Sequence, residues 1–72
     1  MHLTDLIKVI KERRETLKLS QEDLAGISEV GLRTLKQIES NKGNPTLKTI
    51  LKLVDVLGME LTLEVKKNKF LK

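Results

Sequence analysis

The sequence predicts a mainly α-helical domain of four short helices that ends in one C-terminal β-strand. Three observations support this class. Apolar residues recur at helical spacing in four stretches, and turn-forming residues separate those stretches, most clearly at residues 41–45. After Gly58 the apolar period changes from 3.6 to 2, which is typical of a strand with one buried face.

The composition limits what kind of protein this is. A chain of 72 residues is one domain, and a monomer of that size buries only about 60 % of the surface of its unfolded form, so it is marginally stable. The chain has no cysteine and one histidine, His2, so neither a disulfide nor a transition-metal site is expected, and no cofactor is predicted. Charged residues interrupt every apolar run near the N-terminus, so we expect a soluble, cytoplasmic protein without a membrane partner.

The net charge is +4 and the sequence pI is about 9.6. This excess suits a polyanionic partner, although a well-solvated basic domain would look the same. Phe70 is the only aromatic residue, whereas proteins that bind single-stranded nucleic acid or RNA usually stack bases on aromatic side chains. The composition therefore favours double-stranded DNA over those partners.

The first two helices are predicted from their caps and inner faces. The first spans residues 5–17 with Thr4 as its N-cap, and the second starts after Ser20, which forms a capping box with Asp23, and ends near Ser28. The inner face of the first helix comprises Leu6, Ile7, Ile10, Arg14 and Leu17, and that of the second comprises Leu24, Ala25 and Ile27. Arg14 is the one charge on its apolar face.

The third helix begins near Leu32, and Thr46 caps a fourth helix that ends before Gly58. Leu35 and Ile38 are predicted to point inward from the third helix. The apolar stripe of the fourth comprises Leu47, Ile50, Leu51, Val54 and Leu57.

The predicted strand completes the domain plan. Residues 1–58 form the helical domain, residues 59–66 the strand, and residues 67–72 a flexible basic tail. Leu61, Leu63 and Val65 give the strand one apolar face, and no second strand is predicted to pair with it. We expect it to pair with the same strand of a second copy across a two-fold axis. The alternative is that the strand packs on its own helices and the chain dimerises through the fourth helix.

Two short helices joined by a tight turn, the second polar on its outer side, form a helix-turn-helix. Such a second helix fits the major groove of DNA. Here the side chains that point outward from the third helix are Leu32, Arg33, Lys36 and Gln37. Arg pairs bidentately with guanine and Gln with adenine, and an apolar side chain meets the methyl group of thymine.

The sequence resembles the Cro/C1-type (XRE) helix-turn-helix family over about residues 6–61. The resemblance lies in LSQEDLA at residues 19–25, VGLRTL at 30–35, QIE at 37–39 and NPTL at 44–47. It implies a lambda-repressor-like fold. Within the family, the predicted strand makes the chain most similar to the short HipB-type regulators, which often act as antitoxins.

The resemblance also implies roles for single residues. Leu32, Arg33 and Gln37 match base-reading positions, and Lys36 matches a position near phosphate or base. Gln21, Ser40 and Lys42 match phosphate contacts. Arg14 and Glu39 match a partly buried ion pair, which explains the charge on the first helix.

Two positions depart from the family pattern, both beside the turn. Glu29 stands where glycine is usual, and a positive φ there costs a non-glycine residue about 1 kcal/mol. Gly31 replaces the usual Ser or Thr N-cap of the third helix and caps less strongly. No base-reading residue is lost, but the angle at which the third helix is presented is affected.

An enzyme is not predicted, because the sequence offers no nucleophile–base pair and no glycine-rich phosphate loop. Two functions remain. The first is a homodimeric repressor on a palindromic operator, with recognition helices about 34 Å apart. The second is an antitoxin that binds a cognate toxin and represses its own operon.

Overall fold

Four helices follow one another in a computed structural model that describes residues 2–63. They are α1 (Leu3–Thr16), α2 (Gln21–Ser28), α3 (Leu32–Glu39) and α4 (Leu47–Val56). The predicted number and order of helices are confirmed.

The start of α1 differs from the prediction. The helix begins at Leu3 with His2 as N-cap, so Thr4 lies inside the first turn and its assignment as N-cap was wrong. Asp5 explains the earlier start, because its carboxylate accepts a hydrogen bond from the backbone N–H of His2 at 3.3 Å. The far end is also shorter: Leu17 lies beyond the helix and is exposed, so its place on the inner face was wrong.

The capping box of α2 is confirmed. The Ser20 hydroxyl accepts from the Asp23 N–H at 2.9 Å, and the Asp23 carboxylate accepts from the Ser20 N–H at 3.0 Å. Leu24 and Ala25 are buried as predicted, but Ile27 is 61 % exposed and Ser28 is buried in its place. Ser28 is accommodated because its hydroxyl donates to the Leu24 carbonyl at 2.6 Å.

The inner face of α4 is partly corrected. Thr46 caps the helix as predicted, accepting from the Thr49 N–H at 3.1 Å. Leu53 is fully buried, whereas Leu47 and Leu51 are 63 % and 44 % exposed. The helix carries leucines on several sides, so periodicity alone fits two overlapping stripes, both of which include Ile50, Val54 and Leu57.

One apolar core lies between the helices. α2 packs on α3 and α4, and α1 packs on α3. Arg13 adds a polar link, since its Nε donates to the Leu57 carbonyl at 2.9 Å and so joins α1 to the end of α4. The fully buried side chains are Ile10, Leu24, Leu35, Ile38, Leu53 and Leu57. With its inner face fixed in this core, α3 has its opposite face at the surface.

The segment after α4 does not contain the predicted strand as far as it is described. Gly58 has a positive φ of 70°, as expected of a residue that ends a helix. Residues 59–63 are not assigned to a strand, and Leu63 is fully exposed. A strand needs a partner for its backbone groups, and within residues 2–63 this single chain offers none. Val65 and the predicted tail at residues 67–72 lie outside the described residues.

Candidate nucleic-acid interface

The turn between α2 and α3 has a left-handed residue at the position that the sequence predicts. Glu29 adopts the left-handed conformation, with φ 62°, at the position where glycine is expected. Val30 is buried, and Gly31 forms the N-cap of α3 without a side-chain hydrogen bond. Glu29 therefore bears the conformational cost of a non-glycine residue in the left-handed region.

The two sides of α3 differ sharply in exposure. Leu35 and Ile38 are 0 % and 2 % exposed and anchor the helix in the core. On the opposite side Arg33, Lys36 and Gln37 are exposed and Leu32 is half-buried. The helix is therefore held along one side and presents long polar side chains along the other.

A shallow concavity gathers most of the predicted DNA contacts on one surface, which we call the α3 groove. It is lined by Leu32, Arg33, Lys36, Gln37, Ser40 and Lys42. Three of these six side chains are basic and none is acidic. The basic side chains and the Gln37 amide in this groove offer donors both to phosphates and to base edges.

The turn after α3 places Lys42 beside this helix. Asn41 adopts a left-handed conformation, φ 59°, and the Lys42 N–H donates back to the Gln37 carbonyl at 2.8 Å. The Ser40 hydroxyl donates to the same carbonyl at 3.0 Å. This role of Asn41 was not predicted, although an asparagine just after a helix is a known signal for such a cap.

Arg14 of α1 and Glu39 of α3 form the predicted ion pair. The guanidinium donates through Nε to Oε2 and through Nη2 to Oε1, both at 2.8 Å, and through Nη1 to the Leu19 carbonyl at 2.7 Å. The Glu39 side chain is 2 % exposed and that of Arg14 is 11 % exposed. The hydrogen bonds to Glu39 raise the pKa of Arg14 above its already high ordinary value, so the guanidinium stays charged.

Gln21 lies apart from the α3 groove. This half-buried residue begins α2, and its Nε2 donates to Glu39 Oε1 at 3.2 Å. The position was predicted to contact phosphate, and the structure adds a bond to the ion pair. Gln21 thereby links the start of α2 to the end of α3.

Residues 2–63 contain no group of three or more His, Cys, Asp or Glu side chains that could hold a metal ion. No helix within that range is long and apolar enough to cross a membrane.

Comparison with known proteins identifies the family. Residues 10–63 match a family model described as helix-turn-helix. A relative from Methanococcus maripaludis is 37 % identical over 54 residues, which is 75 % of this chain and 17 % of the relative. A relative from Methanococcus vannielii is 35 % identical over 54 residues, which is 75 % of this chain and 16 % of the relative.

Both relatives carry the name "Putative HTH-type transcriptional regulatory protein", and this chain spans only about a sixth of their length. The family match covers α2, the turn and α3, and it includes every residue that lines the α3 groove. The chain belongs to the XRE-type helix-turn-helix family.

Proposed function

We propose that the chain is a sequence-specific regulator of transcription that binds double-stranded DNA with the outer face of α3. The α3 groove is the observation that carries this proposal, because it joins Arg33, Lys36, Gln37 and Lys42 on one basic surface. A helix anchored on its inner side and basic on its outer side is what insertion into the major groove requires.

Three residues contact bases in this proposal. Arg33 and Gln37 are one helical turn apart on the exposed side of α3. Arg33 pairs with N7 and O6 of guanine, and Gln37 pairs with N7 and N6 of adenine. Leu32, half-buried at the edge of the groove, contacts a thymine methyl group.

The remaining contacts are to the DNA backbone. Lys42 follows α3 directly and meets a phosphate there, with Lys36 close to phosphate or base. Ser40 meets a phosphate when its hydroxyl turns from the Gln37 carbonyl toward the DNA. Gln21 contacts a phosphate from the start of α2. These contacts set the register of α3 without reading sequence.

We further infer that the regulator acts in the cytoplasm as a homodimeric repressor on a palindromic operator. Two copies related by a two-fold axis present two copies of α3 to half-sites one helical turn of DNA apart. The exposed Leu61 and Leu63, with Val65, form the predicted contact between copies. A dimer also buries apolar surface that a chain of this size leaves open.

Selection of binding sites from a random duplex library, together with genomic immunoprecipitation, tests this function. We expect one enriched inverted repeat in both experiments and an occupied site within a promoter, where transcription rises when the gene is deleted. Enrichment without a common sequence would contradict specific binding, and a single unrepeated half-site would contradict the dimer.

The antitoxin alternative rests on the resemblance to HipB-type regulators and on the predicted strand at residues 59–66. Residues 59–63 form no strand, so no observation in the described part of the chain favours it over the repressor. A neighbouring gene for a kinase-like or ribonuclease toxin, whose product copurifies with this chain, would reverse that preference.

A further inference from the structure

The Gln21 side chain lies between a buried carboxylate and the surface of the protein. Gln21 begins α2 and is half-buried, and its Nε2 donates to Glu39 Oε1 at 3.2 Å. The Glu39 side chain itself is only 2 % exposed. Any group that binds Gln21 from outside therefore meets an amide whose inner side is already held by Glu39.

The bond to Glu39 fixes the orientation of the Gln21 amide. A carboxylate that is paired with a guanidinium only accepts hydrogen bonds, so the amide must turn its nitrogen, and not its carbonyl oxygen, toward Glu39. One N–H of Nε2 is used in this way. The second N–H of the same nitrogen is left to donate to another acceptor.

This orientation matters for a phosphate, because phosphate oxygens also only accept hydrogen bonds. An amide that turned freely would present its carbonyl oxygen as readily as its nitrogen, and a phosphate repels that oxygen. With its nitrogen held by Glu39, Gln21 keeps a donor available at the start of α2. The contact with Glu39 thus selects the amide orientation that a phosphate contact needs.

The charge of Glu39 would by itself oppose a phosphate. Two negative groups on either side of one amide repel each other, and the repulsion grows where water is excluded. Arg14 offsets this charge, since its Nε and Nη2 donate to the two Glu39 oxygens at 2.8 Å. The pair therefore supplies an acceptor for Gln21 without adding net charge beside the DNA.

We propose that Glu39 is a positioning residue for DNA binding, which orients the Gln21 amide so that its second N–H donates to a phosphate. Arg14 is the counter-charge that makes a carboxylate compatible with that site. The inference rests on the DNA-binding function proposed above. It adds a residue that does not touch the DNA and that acts on DNA affinity through Gln21 alone.

Replacing the whole ion pair separates positioning from folding. Arg14→Met together with Glu39→Leu exchanges the pair for apolar side chains, which is often neutral or stabilising, and leaves Gln21 without its acceptor. In fluorescence anisotropy this double variant should bind operator and random duplex about three- to ten-fold more weakly than wild type, as expected for one hydrogen bond. Gln21→Ala should cause the same loss, and adding it to the double variant should cause no further loss.

Salt dependence and base preference distinguish positioning of Gln21 from a purely structural role. The amide is uncharged and the double variant keeps the net charge, so the slope of log K against log salt and the base preference of the operator should not change. If the ion pair only holds α3 in place, the double variant should lose base preference, and Gln21→Ala should still weaken binding in its background. Either result would overturn the positioning role.

Lys8→Met together with Glu12→Leu is the matched control, because it replaces an exposed ion pair of α1 in the same way. It should leave DNA affinity unchanged. Hydrogen exchange of the Gln21 side chain tests the orientation in wild type, without any change to the core. One of its two amide protons should exchange more slowly than the other in the free chain, and operator DNA should slow the second. Equal exchange of both protons in the free chain would contradict the bond to Glu39 on which the inference depends.

The Gln21 and Arg33 variants separate this inference from the function on which it rests. If Gln21→Ala binds DNA as tightly as wild type while Arg33→Ala loses base preference, the positioning role is wrong and the DNA-binding function stands. If Arg33→Ala keeps the affinity and base preference of wild type, base reading by α3 is wrong whatever the Gln21 variants show.

Discussion

Arg14 joins three segments of this fold through one side chain. It holds both oxygens of Glu39 at the end of α3 and the Leu19 carbonyl between α1 and α2. Removing a charged pair from water is costly, and the cost is offset only when the remaining polar atoms are satisfied. Here no buried side-chain nitrogen or oxygen within residues 2–63 lacks a partner. The pair therefore stabilises the position of α3 only while both partners are present.

A double-mutant cycle measures this coupling. Arg14→Met and Glu39→Gln should each lower the free energy of unfolding by about 3 kcal/mol, because each leaves a buried polar group unpaired. The double variant should lose clearly less than the sum of the two in urea unfolding. Lys8→Met is the control, since Lys8 pairs with Glu12 at 4.0 Å on the exposed side of α1 and should cost less than about 0.5 kcal/mol. Strict additivity between Arg14 and Glu39 would contradict direct coupling.

Glu29 adopts the least favourable backbone conformation of the turn between α2 and α3. Its φ of 62° is unfavourable for a residue with a Cβ atom and easy for glycine. Glu29→Gly should therefore raise the free energy of unfolding by about 1 kcal/mol. Glu29→Ala keeps the Cβ and removes only the carboxylate, so it should give no such gain. Equal stabilisation by both variants would assign the effect to charge instead of φ.

At the scale of helices and turns, local signals predicted the starts of α2 and α4 correctly. Ser20 and Thr46 each make their own capping bond within three residues, so the sequence contains everything that the cap needs. The start of α1 was misplaced because the Asp5 carboxylate accepts from a backbone N–H, which any residue other than proline at position 2 supplies. The inner face of α4 was misplaced because packing in the common core, and not local sequence, selects Leu53 over Leu47.

The capping box of α2 should make stability depend on pH. Hydrogen bonds from the backbone N–H and then the side chain of Ser20 lower the pKa of Asp23 below its ordinary value of 3.8. Asp23 therefore contributes fully above pH 3.8, and its contribution is lost as the pH falls through the lowered pKa. Asp23→Asn should show a smaller fall in melting temperature between pH 6 and pH 2.5 than wild type. Ser20→Ala keeps the stronger backbone bond and should retain most of the dependence; an equal fall in wild type and Asp23→Asn would contradict this role.

At the scale of the molecule, the residues of the α3 groove were largely predictable, whereas the contacts that hold α3 in place were not. Helical periodicity and family resemblance together gave Leu32, Arg33, Lys36 and Gln37, and the structure sets them in one groove with Ser40 and Lys42. The bond from Gln21 to Glu39 joins residues 18 positions apart, and only the packing of α1, α2 and α3 brings them together. The exposure of Leu47 and Leu51 was likewise not predictable, because it depends on which leucines the core selects.

Contacts to phosphates and contacts to bases should respond differently to substitution. Lys42→Ala removes one proposed phosphate contact, so it should weaken binding to all duplexes about equally and lower the slope of log K against log salt by about 1. Fluorescence anisotropy at several salt concentrations measures both quantities. Lys18→Ala, an exposed lysine outside the α3 groove, is the control and should leave the slope unchanged. Loss of affinity for only one sequence would contradict a phosphate contact at Lys42.

The affinity of Arg33 variants for the selected operator tests the central claim most directly. Arg33→Ala should weaken operator binding by about 1–3 kcal/mol and remove the preference for one base pair in each half-site, because the bidentate contact to guanine is lost. Arg33→Lys keeps the charge but not the planar pair of donors, so it should retain most affinity for random duplex and still lose that preference. Wild-type affinity and an unchanged base preference in Arg33→Ala would contradict DNA reading by the outer face of α3.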